Sequence, residues 1–374
     1  MKSLVSLFSG IGGLDEGLHR AGFSPVFCSE LDVHARNSLS SWCKLRAVDP
    51  IINTDINSVN PVSLRQELEM DAGELDLLAG GPPCQSFSLI GNRKSLDDHR
   101  GLLLLKMIEF AKVFKPKAVM IEQVKGLLSA KGADGVPGSA LRTVISDLAA
   151  LGYATTFKVL RAADYGVPQL RDRVFIVGIQ GAKDFDFPHP THINMSSLVK
   201  QNDIFAQSLH PYQTVAQAIG DLPPPVLKGQ PESIPNHLDI TPARDKERIS
   251  GVPEGECLAK QIHLPEGQRL RLDPKKDTTK FRRLAWDLPA LTLRGGEAFY
   301  HPTEDRYLTP REYLRIHGFP DDHILQGPIR GRSGSVRDLD QHRQVANAVP
   351  PPLAEAVGCS IYKALMRVGR RAAA

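Results

Sequence analysis

Two residue groupings in the first third of the chain could do chemistry. Gly80-Gly81-Pro82-Pro83-Cys84-Gln85-Ser86 follows the apolar run Leu75–Ala79, so two prolines fix the backbone just before a thiol. A cysteine at the carboxyl end of a buried strand, leading toward a helix N-terminus, is placed for a lowered pKa and nucleophilic attack. Cys28, Cys43, Cys257 and Cys359 lack such surroundings and read as small buried hydrophobes. The second grouping, Ser9-Gly10-Ile11-Gly12-Gly13, follows the run Leu4–Phe8 and precedes a helical pattern. Glycines there let the backbone approach a ligand closely. Glu30 ends the next strand, where a carboxylate can accept both hydroxyls of a ribose. A dinucleotide site would want a third glycine where Asp15 stands, and a carboxylate at that turn would repel a pyrophosphate. A cationic nucleoside without phosphates fits better, and S-adenosylmethionine is the candidate. Asp55 follows a third apolar step and is placed for the adenine amino group. Taken alone, the loop also fits a tight strand–helix turn with no ligand.

The elements that must position these groups alternate. Leu4–Phe8, Val26–Ser29, Leu75–Ala79, Ala118–Ile121 and Val174–Gly178 read as buried strands. Leu14–Arg20, Leu102–Phe114 and Ala140–Leu151 between them read as helices, the last stopped by Gly152. This rhythm predicts a doubly wound α/β fold with a mostly parallel sheet and ligands beyond the strands' carboxyl ends. It stops near Gly181. From Asp186 to about Arg283 the chain is richer in Pro and His and reads as a separate, irregular domain. Regular patterning returns with Thr309–His317 and closes with Leu353–Val368. The expected division is 1–185, 186–335 and a C-terminal segment, 336–374, returning to the first domain.

Composition narrows the class further. Over 374 residues, 41% hydrophobic and 24% charged content excludes a disordered or collagen-like chain. No apolar run approaches the roughly 18 residues of a membrane span, and Met1–Phe8 reads as a strand with no cleavage site after it. Five cysteines without a CxxC pair fit neither a disulfide framework nor a zinc site, so no metal is expected. These features together predict a soluble, cytoplasmic protein. The net charge of +4 permits a nucleic-acid partner without requiring one. Thr241–Arg283 carries 11 Lys/Arg against 7 Asp/Glu, which fits either a solvated surface or a path for a polyanion.

At this point the chain resembles a known family. Phe8-Ser9-Gly10-Ile11-Gly12-Gly13 followed by Gly80-Gly81-Pro82-Pro83-Cys84-Gln85 is similar to the DNA (cytosine-5)-methyltransferases. The resemblance continues through Glu122-Gln123-Val124, Gln169-Leu170-Arg171-Asp172-Arg173 and Arg283–Thr292. It extends to Leu308–Glu312, Gly318-Phe319-Pro320-Asp321 and Gln344–Pro351, leaving only about 185–280 weakly matched. The blocks stand in the family's order.

The resemblance implies a Rossmann-like class I methyltransferase fold and a smaller target-recognition domain. It implies methyl transfer from S-adenosyl-L-methionine to carbon 5 of cytosine, leaving S-adenosyl-L-homocysteine. The thiolate matching Cys84 adds to carbon 6, Glu122 matches the carboxyl that bonds ring N3 and the exocyclic amine, and Arg173, secondarily Arg171, match arginines that hold the base oxygen and order the site. For the cofactor the resemblance assigns Phe8 to the adenine face and Gly10, Ile11, Gly12 and Gly13 to close backbone approach. It assigns Glu30 to the ribose, Asp55 and Ile56 to the adenine edge and Pro83 to the pocket wall, and counts Leu31 among the cofactor-binding residues. Leu103 is either an adenine contact or core. Asn347 and Val349 take the methionine end. The target base must leave the duplex to react. Gln85, Ser88, Arg93, Lys94 and Arg100 then belong to a DNA-contacting loop closing over it.

Two positions depart from the family pattern: Gln123 stands where Asn is usual, and Ala346 replaces a common Gly. The expected partner is duplex DNA, bound by a monomer, with a separately encoded restriction endonuclease or defence protein as the wider context. The alternatives are an RNA (tRNA) cytosine-5 methyltransferase on the same scaffold and a catalytically silent DNA-binding relative. A nicotinamide-dependent oxidoreductase is disfavoured by Asp15.

Overall fold

The computed structural model describes residues 1–83, 101–132, 134–195, 208–227, 229–258, 265, 281–295, 298–330 and 338–372. Cys84, Gln85, Ser88, Arg93, Lys94 and Arg100 lie outside the described residues. Two compact units emerge. One comprises Met1–Arg161, Asp172–His189 and Pro351–Ala374; the other comprises Ala162–Arg171 and Pro190–Pro350. The chain therefore passes between the units at 161/162, 171/172, 189/190 and 350/351. Asn347 and Val349 accordingly lie in the second unit.

The first unit is built on seven strands: β1 (Lys2–Leu7), β2 (Phe23–Ser29), β3 (Ile51–Asn53), β4 (Leu77–Gly80), β5 (Ala118–Val124), β6 (Tyr153–Arg161) and β8 (Asp172–Gln180). Their order is β3-β2-β1-β4-β5-β8-β6. The pairs from β3 to β5 are parallel, and β8 runs antiparallel to both neighbours. The chain winds outward from β1 to β3, then crosses to β4 and winds the other way. The switch point between β1 and β4 is where such sheets open a ligand crevice. Leu4, Val5 and Leu7 of β1 and Leu77, Leu78 and Ala79 of β4 are all fully buried, which is why these strands read as continuous apolar runs.

Helices α1 (Gly13–Arg20), α2 (Val33–Leu45), α3 (Pro61–Glu67), α4 (Gly101–Phe114) and α5 (Ser139–Ala150) connect the strands. The last helix of the chain, α10 (Pro351–Ala372), packs on α1. That contact is close because it runs over small residues: a Cβ on Gly17 would lie 2.4 Å from the Pro351 carbonyl, and one on Gly358 2.8 Å from Ala21 Cβ. No helix among the described residues is long and apolar enough to cross a membrane.

A buried carboxylate ties α1 to α2. Glu16 is 1% exposed; its Oε2 accepts from Trp42 Nε1 at 2.7 Å and Arg46 Nε at 2.8 Å, and its Oε1 from Arg20 Nε at 2.7 Å. Burial pushes this carboxyl up, yet the hydrogen bonds from Arg46 and Trp42 and the charges of Arg20 and Arg46 bring it down to about 2, from an ordinary 4.5. A carboxyl that titrates lower in the folded chain stabilises it fully above about pH 4.5 and loses that contribution as pH falls toward 2. Glu16→Gln is expected to cost about 2 kcal/mol at pH 7 in denaturant titrations. Its deficit should shrink below pH 4.5, and a deficit independent of pH would refute the charge assignment.

The second unit is irregular. It holds β7 (Gln169–Leu170), paired in parallel with the two-residue strand Ala290–Leu291. Its helices are short: α6 (Val215–Ile219), α7 (Ala243–Ile249), α8 (Pro310–Ile316) and α9 (Gln341–Asn347). Thr309 and Glu312 close α8 with a reciprocal capping box, and Pro310 opens it. Asp340 caps α9 by accepting from Arg343 N at 2.8 Å.

Candidate active site

The glycine turn leaves the carboxyl end of β1 at the switch point. Phe8, a non-glycine residue, already has φ 60, and Gly10 and Gly12 follow with φ 57 and 83. A left-handed phenylalanine costs about 1–3 kcal/mol and persists only where its surroundings impose it. Here β2 imposes it: Phe8 N donates to Ser29 Oγ at 3.2 Å and Ser9 N to the Ser29 carbonyl at 2.9 Å. Glu30 completes the turn. Its Oε2 accepts from Gly10 N and its Oε1 from Asp32 N, both at 2.8 Å. Burial raises this carboxyl above its usual range, and those two N–H groups pull it partly back. Nothing lies within 4 Å of where a Gly10 Cβ would stand, so the turn is open on that side.

The other expected cofactor residues divide by burial. Ile11 is fully buried and Ile56 is 5% exposed within the main core. Gly13 is buried at the start of α1. Leu103 is half-buried against the same core, Leu31 is 40% exposed, and Pro83 is exposed. Asp55 is half-buried and caps a 3-10 turn, its Oδ1 accepting from Asn57 N at 3.0 Å and Asn57 Nδ2 at 3.1 Å. Asp15 is fully buried, with the Cys28 thiol donating to its Oδ1 at 3.9 Å. Burial raises its carboxyl to about 6.

β4 delivers the second loop. Glu122, near the end of β5, is 9% exposed and pairs with Arg173 of β8, whose Nε lies 2.8 Å from Glu122 Oε1. Arg173 stands opposite Val124 in the antiparallel register and reaches the carboxylate diagonally. A Cβ on Gly81 would come within 3.0 Å of Glu122 Oε2, so the carboxylate lies against the backbone that leads into Pro82, Pro83 and Cys84. Gln123 explains its departure from Asn: its Nε2 donates to the Pro82 carbonyl at 2.6 Å, fixing that same backbone. Its Oε1 is buried without a partner among the described residues. The positioning roles of Gly81 and Gln123 escape sequence reading because their signal is spatial. Gly81→Ala is expected to displace the carboxylate and lower kcat roughly tenfold with little change in Tm; an unaltered kcat would deny the contact any role.

Arg171 proves different from Arg173. It lies in the second unit, 1% exposed, and donates to the carbonyls of Ala346 at 2.6 Å, Ala348 at 3.1 Å and Leu293 at 3.3 Å. Its guanidinium thus ties together the main chain around Asn347. Asn347 is exposed at the end of α9, between the two alanines that Arg171 holds, and Val349 is 6% exposed.

A doubly wound, mostly parallel sheet with a glycine turn and a carboxylate at its switch strand is a Rossmann-like class I methyltransferase fold. The chain belongs to the C-5 cytosine-specific DNA methylase family, whose sequence profile matches residues 2–363. Type II methyltransferase M.AgeI of Thalassovita gelatinovora is 31% identical over 444 aligned residues, 96% of this chain and 99% of that protein. Type II methyltransferase M.AquIA of Picosynechococcus sp. is 42% identical over 227 residues, 60% of this chain and 90% of that one. A solved structure of a prophage-encoded E. coli protein, described as a DNA modification methyltransferase, matches with a TM-score of 0.68. It covers 98% of this chain and 100% of that chain at 22% identity, a likeness of fold.

Proposed function

We propose that this protein transfers a methyl group from S-adenosyl-L-methionine to carbon 5 of a cytosine flipped out of a specific duplex DNA sequence. The observation that carries this reading is the Arg173–Glu122 pair, set against Gly81 at the root of the Cys84 loop.

The residues present fit the cofactor. Glu30 is held with both oxygens hydrogen-bonded, leaving lone pairs for a ribose diol, and the space over Gly10 is open. Asp15 stands where a dinucleotide site would have a third glycine, which disfavours a pyrophosphate at this turn. Phe8 would lie on the adenine and Asp55 on its edge; the family resemblance assigns Asn347 and Val349 to the methionine end. Bound there, the cofactor supplies an electrophilic sulfonium methyl.

Every further step falls to this chain's own groups. The Cys84 thiolate would add to carbon 6 of the base, pushing electron density onto carbon 5 and making it the nucleophile. Glu122 would hydrogen-bond N3 and the exocyclic amine, stabilising the charge that develops there. Arg173 would fix the Glu122 carboxyl and reach the base oxygen. Once carbon 5 is methylated and its proton removed by a base, the thiol is expelled and the aromatic ring restored. The basic stretch Thr241–Arg283 would supply phosphate contacts that position the duplex, while base-edge contacts specify the sequence. Separately encoded restriction or defence proteins would set the context in which a monomer modifies its sites.

Methyl incorporation from labelled cofactor should be measured side by side on duplex DNA and tRNA. Incorporation into duplex DNA is expected, with a rise in Tm on adding the cofactor alone. Incorporation confined to tRNA would overturn the substrate assignment. Tight DNA binding without incorporation into either would overturn the enzymatic one.

A further inference from the structure

The turn that carries Asn347 is held by a second device besides Arg171. His317 follows α8 and is fully buried, with Gly318 at φ 83 turning the chain away behind it. Its Nε2 lies 2.9 Å from the Ala348 carbonyl, and its Nδ1 lies 3.0 Å from Gln169 Nε2. A carbonyl only accepts, so Nε2 carries the proton. The orientation of the Gln169 amide is set independently: its Oε1 accepts from Leu293 N at 3.2 Å, and its Nε2 faces the Ile316 carbonyl at 3.5 Å. The amide N–H therefore points at His317 Nδ1, which must be the acceptor. Both partners select one neutral tautomer. The ring relays the position of β7 to the Ala348 carbonyl, on which Arg171 Nη2 also converges at 3.1 Å.

We propose that His317 is a positioning residue for the cofactor's methionine end, acting through the Ala348 carbonyl on the Asn347–Val349 turn. This rests on the reading that Asn347 and Val349 face that end of S-adenosyl-L-methionine. The imidazole does what a fixed N–H donor must: it holds one carbonyl of the turn against rotation, beside the exposed Asn347. Loss of the donor would leave a buried carbonyl with Arg171 alone and let the turn shift, which should weaken cofactor binding without touching the chemistry of the base.

Steady-state kinetics on the full chain, varying S-adenosyl-L-methionine and duplex DNA separately, test this. His317→Leu is expected to raise the KM for the cofactor roughly tenfold. Its kcat at saturating cofactor and its KM for DNA should stay near wild type. His317→Gln, whose amide can donate to the same carbonyl, should recover most of the loss. Gln169→Met, which removes the partner of Nδ1, should move the cofactor KM in the same direction, and keeps the test available if His317→Leu does not fold. An unchanged cofactor KM in His317→Leu and Gln169→Met, a parallel loss of kcat and DNA affinity, or a Gln variant no better than Leu would each overturn the proposal. Asn347→Ala separates the two levels. If it binds the cofactor as wild type does, the assignment of the turn fails; if it weakens binding while the His317 variants do not, only the His317 inference fails.

Discussion

Cys84→Ala is expected to lower methyl transfer to duplex DNA at least about a thousandfold while leaving cofactor binding intact. Carbon 5 of cytosine is a poor nucleophile, and without a thiolate on carbon 6 the ring has no means of placing electron density there. The backbone before the thiol is prepared for this task by groups that do not react. Gln123 holds the Pro82 carbonyl at 2.6 Å, and the glycine at 81 allows the carboxylate of Glu122 to lie against the chain. Removing the sulfur should leave those contacts unchanged, so thermal stability and the cofactor-induced rise in Tm should match wild type. A variant that retains measurable turnover with wild-type cofactor dependence would eliminate covalent catalysis at this position.

Glu122→Gln is expected to cost about 10²–10⁴ in single-turnover rate, the range for loss of a positioned acid–base group. The substitution keeps the side chain's size, and its amide oxygen can still accept from Arg173 Nε, whose present distance is 2.8 Å. The fold should therefore survive with a loss of about 1 kcal/mol, from weakening a charge-assisted bond to a neutral one. A fixed amide cannot exchange a proton at N3 as charge develops on the ring. The KM for the cofactor should stay near wild type, because Glu30 and the glycine turn belong to β1 and β2. Equal losses in cofactor KM and rate would place Glu122 in binding instead of in the chemical step.

The parts legible in the sequence were those with local causes. Buried parallel strands must be apolar on both faces, so β1, β4 and β5 stand out as runs, and the turns that follow them carry glycine, proline and the reactive side chains. β6 went unread because it is an edge strand: Thr155 to Lys158 are half-buried or exposed, and no apolar run marks it. α2 went unread because three serines and an asparagine blur its apolar face, although Asp32 caps it through Ala35 N at 2.7 Å. The arginine pair shows the limit most clearly. Two residues apart, Arg171 and Arg173 look alike in the sequence, and only long-range contacts decide which one meets a carboxylate and which one binds the carbonyls around Asn347. The same holds for His317, whose partners are 148 and 31 residues away in the chain.

Bisulfite sequencing of DNA from cells expressing the protein, compared with cells expressing Cys84→Ala, tests the central claim most directly. Bisulfite converts unmodified cytosine and spares 5-methylcytosine, so activity and target sequence are read together. Protection of one cytosine within a single recurring sequence, present with the wild-type chain and absent with the variant, is the predicted result. Complete conversion in both, or equal protection in both, would contradict it.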